Sequence, residues 1–138
     1  MLMQGVLNAT DVRKEWERFI DNVVHGMPKV VKRNRDYFVS MSLTHILELL
    51  KEYSFKAEYL KEDDGTVTAT LDNFDLVVNS NDETSARRAL AEELVEYAQE
   101  YFNEYQFYYN SPNRQHHFPY IMAVLLQDDL DGVINLIA

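Results

Sequence analysis

Apolar residues recur along this chain with two different periods. Val12, Trp16, Phe19, Ile20 and Val23 follow one another at three- and four-residue spacing, while Arg13, Lys14, Glu17 and Asp21 take the other side, as in an amphipathic helix. Asn8-Ala9-Thr10-Asp11 supplies capping side chains, so the pattern predicts a helix from residue 10 onward. Gly26-Met27-Pro28 ends it, because proline cannot continue a helix. On this reading Trp16 and Phe19 are core, together with Met41 and the leucines of the first half. Arg13 and Lys14 fall in the first turn, where cations oppose the helix dipole.

From Lys29 the period changes. Lys29–Val31 and Tyr37–Met41 are β-branched or aromatic, and the turn formers "KRNRD" between them predict a hairpin with cations at its tip. Ser42 is placed to cap a second helix with Leu43, Ile46, Leu47, Leu50 and Tyr53 on one face. The resulting order is strand, helix, hairpin, helix. So small a unit buries a limited share of its surface, and pairing with a copy of itself would supply the missing core.

The second half reads differently. Phe55, Ala57 and Tyr59 alternate with polar residues, "EDDG" turns the chain, and Val67, Ala69 and Leu71 alternate with threonines, which predicts an antiparallel pair. "FDLVV" makes a third strand. "NSNDETS" is a loop able to cap a long helix with Ala86, Leu90, Leu94, Ala98, Tyr101, Phe102 and Tyr105 on its apolar side. The aromatic-rich remainder predicts one or two short helices, its tyrosines and phenylalanines serving as core or as a partner surface. The fold class expected is α+β: a small N-terminal unit, residues 1–53, followed by a β-β-β-α domain with C-terminal helices, residues 54–138.

Charge reinforces that division. The chain of 138 residues carries a formal charge of -10, but residues 1–50 hold seven Lys/Arg against six Asp/Glu, and residues 51–138 hold six against seventeen. No apolar run is long enough to span a bilayer, and the N-terminal stretch lacks the pattern of a signal peptide, so a cytoplasmic protein is expected. With no cysteine there is no thiolate nucleophile and no disulfide framework. Four glycines leave little material for phosphate-cradling loops.

Catalytic chemistry finds little support. His116 and His117 are adjacent and point apart on either a helix or a strand, and Asp128, Asp129 and Asp131 lack calcium-loop spacing. Ser42 with His45 reads as a helix cap beside a surface histidine. No enzyme, metal or cofactor is expected.

The stretch "VLNATDVRKEWERFIDNVVHGMPKVVKRNRDYFVSMSLTHILELL" resembles the Phd/YefM family of antitoxins across residues 5–53. The likeness lies in the small-residue, Thr-acid-x-Arg start, the Gly-x-Pro helix exit, the "VVKRN" strand and turn, and the "VSMSL" entry to the next helix. The resemblance implies a dimer that binds operator DNA. It places Thr10 and Arg13 on helix-start contacts and Lys32 and Arg33 on hairpin contacts, with Asn8, Lys14, Asn34 and Arg35 as adjacent DNA-binding candidates. One departure is Arg35-Asp36, where the family often has glycine, so a turn of different shape is expected. "FKAEYLKEDDGTVTATL" followed by "NDETSARRALAEELVEY" is similar, at the level of fold, to the partial RNase-H-like domain of HicB-type antitoxins. Together these imply an antitoxin and autorepressor whose partners are operator DNA, a protein toxin such as a basic ribonuclease, and a second copy of the chain. The competing expectation is a stand-alone interaction or ligand-sensing regulator without a toxin.

Overall fold

A computed structural model describes residues 1–138 as two compact units, Met1–Leu49 and Leu50–Ala138. Both mix helices with a three-stranded sheet, an α+β arrangement.

In the first unit β1 (Leu7–Asn8) runs parallel to β2 (Lys29–Arg33), which pairs antiparallel with β3 (Asp36–Ser40). The connection between β2 and β3 is only Asn34-Arg35, and Asn34 takes a φ of 54°. Such short loops demand a left-handed residue, and asparagine tolerates that region, so the turn closes without the glycine. The expected single helix is instead two. α1 (Ala9–Lys14) and α2 (Trp16–Val24) are separated at Glu15, whose backbone leaves the helical region at φ -118° and ψ 43°. The break gives Val12 from α1 and Phe19 and Val23 from α2 a common cluster with Val31. Trp16 is left 55% exposed, stacked on Phe19 rather than buried.

The same break corrects the dipole argument. Arg13 and Lys14 lie in the last turn of the short α1, where cations are favourable. After α2, Gly26 folds tightly back, since a Cβ there would collide with the Asn22 carbonyl oxygen. α3 (Leu43–Leu50) starts where the His45 N–H donates to Ser42 Oγ at 3.2 Å. It buries no residue fully, and Leu43 and Leu49 are exposed, so the expected leucine core is not formed within this unit.

The second unit has a sheet ordered β4 (Glu58–Lys61), β5 (Val67–Leu71), β6 (Leu76–Ser80), antiparallel throughout. β4 begins later than the alternation predicts, because Phe55 pairs instead with Ile137 near the C-terminus. The Phe55 N–H donates to the Leu136 carbonyl at 2.7 Å, and the Ala138 N–H donates to the Phe55 carbonyl at 2.8 Å. α4 (Glu83–Asn103) is capped by Asp82, whose side chain accepts from the Ser85 N–H at 2.7 Å. Its Ala86, Leu90, Ala91, Leu94, Ala98 and Tyr101 are buried, and the alanines allow close approach to the sheet around Ala69. Each fully buried leucine contributes about 1.5–3 kcal/mol.

Tyr105 does not belong to α4: the helix breaks at Glu104 and α5 (Tyr105–Tyr109) follows. α6 (Phe118–Leu125) and α7 (Leu130–Asn135) complete the unit, so three short helices stand where one or two were expected. Asp129 caps α7 by accepting from the Gly132 N–H at 2.9 Å. Arg87 on α4 ties down the end of the chain, its guanidinium donating to the Ile137 and Ile134 carbonyls at 2.9 and 2.7 Å. No helix is long and apolar enough to cross a membrane.

Candidate nucleic-acid interface

The parallel pairing of β1 with β2 sets Asn8 opposite Lys32, and the hairpin register sets Lys32 opposite Tyr37. Directly opposed residues share a face, so Asn8, Lys32 and Tyr37 form one row. Arg33, next along β2, points to the opposite face, the one bearing Val31 and its helical partners. The candidates are therefore divided between two faces of a small sheet.

Asn8 has a double role in this row. As the cap of α1, its Oδ1 accepts from the Thr10 N–H at 2.8 Å, which leaves its amide N–H groups available as donors. Thr10 itself is exposed in the first turn. The Lys32 ammonium stands 5.5 Å from the centre of the Tyr37 ring. Asn8, Lys32 and Tyr37 line a hollow of about 370 Å³ with Met1, Met3, Val6 and Leu7. Sequence reasoning missed Tyr37 as part of this group. A two-residue hairpin would have revealed it, because that register puts Tyr37 across from Lys32.

On the helical side, Arg13 borders an apolar hollow of about 270 Å³ with Ala9, Val12, Trp16 and Val31. Arg13 and Lys14 together line a second hollow with Glu15, Trp16, Glu17 and Arg18, all from their own segment. Arg33, Asn34 and Arg35 are exposed at the hairpin tip, with Asp36 opposite Arg33 in the register. None of Arg13, Lys14, Lys32, Arg33 and Arg35 forms an ion pair; nearby, Arg18 of α2 pairs with Glu15, the residue between the two helices, at 3.6 Å.

The second unit holds its polar chemistry inside. His117 is buried, with Nε2 2.7 Å from the Asn73 carbonyl and Nδ1 2.7 Å from the Tyr97 hydroxyl. The carbonyl accepts only, so Nε2 carries the proton and Nδ1 accepts from Tyr97. Arg114 donates to the same hydroxyl at 3.0 Å, and the Tyr101 hydroxyl donates to the Arg114 carbonyl at 2.9 Å. Burial lowers the His117 pKa, and burial pushes the Tyr101 phenol up to about 12. Both ring nitrogens of His117 and the hydroxyls of Tyr97 and Tyr101 are engaged within the fold, which suits a core network. No group of three or more His, Asp or Glu is arranged to hold a metal ion.

Comparison with known proteins agrees over nearly the whole chain. No curated protein matches. A crystal structure described as the antitoxin part of a proposed toxin/antitoxin system from Syntrophomonas wolfei subsp. wolfei is 44% identical, with a TM-score of 0.94, covering 99% of this chain and 97% of that one. A family model described as PHD-like, antitoxin of toxin–antitoxin, RelE/RelB, TA system, matches residues 3–138. The chain belongs to this antitoxin family, and it is a regulatory protein of a toxin–antitoxin system rather than an enzyme.

Proposed function

We propose that this antitoxin is of the Phd/YefM type, works in the cytoplasm and divides two tasks between its units. Residues 1–53 form a homodimer, or a larger assembly of dimers, that binds operator DNA and represses its own operon. Residues 54–138 bind and neutralise a protein toxin.

The observation that carries the DNA reading is the group of cations without ion-pair partners, Arg13 and Lys14 on α1 and Lys29, Lys32, Arg33 and Arg35 on the β2–β3 hairpin, in a chain with net charge -10. Lys32, Arg33, Arg35 and Lys14 suit phosphate oxygens, and the Asn8 amide and Thr10 hydroxyl add hydrogen bonds to the backbone of the duplex. Asn34 shapes the tip that presents the arginines. Arg13 has the fork geometry to read a guanine edge in the major groove. The dimer reading rests on Ile20, Val24, Met27, Phe38, Val39 and Leu43, all exposed in the isolated unit. A two-fold pair would match a palindromic operator.

For the second unit the argument is charge. Seventeen acidic groups against six basic ones in residues 51–138 complement a basic ribonuclease and speed its capture.

A two-part assay in cells tests this reading. A reporter under the protein's own promoter should be repressed by the wild-type chain and released by Arg13→Ala with Arg33→Ala, while that variant still rescues growth from the adjoining toxin. Repression that survives both substitutions would contradict the DNA assignment, and loss of both activities from a folded variant would contradict the division of labour.

A further inference from the structure

The longest helix is charged in a way its own stability does not explain. Between Arg88 and Arg114 there is no lysine or arginine, yet Glu92, Glu93, Glu96, Glu100 and Glu104 fall in that stretch. Four of them recur at four-residue intervals, so they share a stripe where like charges repel. The stripe runs into the C-terminal end of α4, where the dipole is already negative and the last turn holds no basic residue. Only Glu92 has a cation, Arg88 at 3.8 Å, in a solvent-exposed pair.

At the foot of this stripe stands an aromatic step. Phe107 on α5 is 68% exposed and meets Tyr108 edge-on at 5.2 Å. Tyr108 stacks on the fully buried Tyr101 at 5.2 Å, so the step is anchored in the core. Glu100 lies against the Tyr108 hydroxyl and raises its pKa, after burial. Glu104 opens α5 and sits one turn before Phe107 and Tyr108.

We infer that Glu96, Glu100 and Glu104, with Phe107 and Tyr108, form the docking surface for an arginine-bearing segment of the toxin. The inference rests on the toxin-binding reading above. A guanidinium laid over the Phe107 ring gains from the ring face while its fork reaches the carboxylate of Glu100 or Glu104. The same cation relieves the repulsion along the stripe, and Phe107 loses its contact with water. Lysine fits less well, because its point charge cannot satisfy ring and carboxylate together.

The test uses the full-length chain and the purified product of the adjoining toxin gene, measured by isothermal titration calorimetry. Three variants are compared with wild type: Phe107→Ser, the pair Glu100→Gln with Glu104→Gln, and the equal-charge control Asp63→Asn with Asp128→Asn. Near-ultraviolet circular dichroism and melting temperature confirm that each is folded. The surface predicts a loss of about tenfold or more in affinity for each of the first two, and less than about twofold for the control. Equal losses in the ridge and control variants would overturn it in favour of long-range charge alone. Wild-type affinity in both ridge variants would overturn this surface and leave toxin binding standing. A wild-type chain that leaves the product unbound would overturn the toxin reading, and this surface with it.

Discussion

The two units differ in what they leave unfinished. The first has a core of few residues, chiefly Val12, Phe19, Val23 and Val31, and leaves Trp16, Phe38, Val39 and Leu49 at least half exposed. The second closes fourteen buried apolar residues around α4 and satisfies its buried polar groups internally, including His117 with Tyr97 and Asn73. On the reading proposed above, the first takes up partners that complete its apolar surface and meet cations that have no carboxylate partner. The second is a finished body with one acidic side still open. Shortage of core and excess of charge are separate signals, and the proposed function assigns the first to a copy of the same chain and the second to a partner of opposite sign.

Separating the units is the sharpest way to break the comparison. Residues 50–138 should melt cooperatively at a temperature independent of protein concentration. Residues 1–49 should show little structure when dilute and gain it on concentration, as for an obligate pair. Circular dichroism melts across a hundredfold concentration range read both. A dilute, cooperatively folded 1–49 would contradict the account.

Core truncation comes next. Leu94→Ala should destabilise the second unit by about 2–5 kcal/mol, because it is fully buried in the core cluster and the site cannot collapse without moving α4. Urea unfolding followed by tyrosine signals of that unit measures it. Val39→Glu, at a half-exposed position of β3, should cost the isolated fold little but abolish self-association, which sedimentation velocity reports.

Acid gives a smaller effect confined to the second unit. Burial holds the folded-state pKa of His117 below its ordinary value of 6.5, so the unfolded chain binds more protons as pH falls through that value. Stability is thus full above the unfolded pKa and is lost as pH drops toward the folded one. Protonation would also set an N–H on Nδ1 against the Tyr97 hydroxyl, which already accepts from Arg114. Melting temperatures between pH 7.5 and 5.5 should fall in the wild type and change less in His117→Gln, whatever the variant's starting stability. The smallest change is expected from Asn8→Ala, which removes the α1 cap at a cost of about 1 kcal/mol and shows in the first unit's melt.

How far the sequence disclosed this molecule follows from which forces are local. Period-two alternation marked β5, and the three- and four-residue recurrence of Ala86 to Tyr101 marked α4, because both record burial along a single element. Capping by Ser42, and by the loop that contains Asp82, was legible for the same reason. The break at Glu15 was not, since the apolar spacing continues through it and only the demand of Val31 for two helical partners reveals it. That single break exposed Trp16 and moved Arg13 and Lys14 from an unfavourable turn to a favourable one. His117 was also hidden, because its partners Asn73 and Tyr97 lie 44 and 20 residues away. Within the candidate interface, the cations stood out by composition, but the row of Asn8, Lys32 and Tyr37 needed the strand register.

The most direct test of the account is the salt dependence of binding to DNA from the protein's own promoter, measured by fluorescence anisotropy on the full chain beside Lys32→Ala and Arg33→Ala. The account predicts tight, promoter-specific binding that weakens with salt, and a log–log slope that becomes shallower by about one for each phosphate-contacting cation removed. Absence of promoter binding at low salt by folded, dimeric protein would contradict it, as would slopes unchanged in both variants.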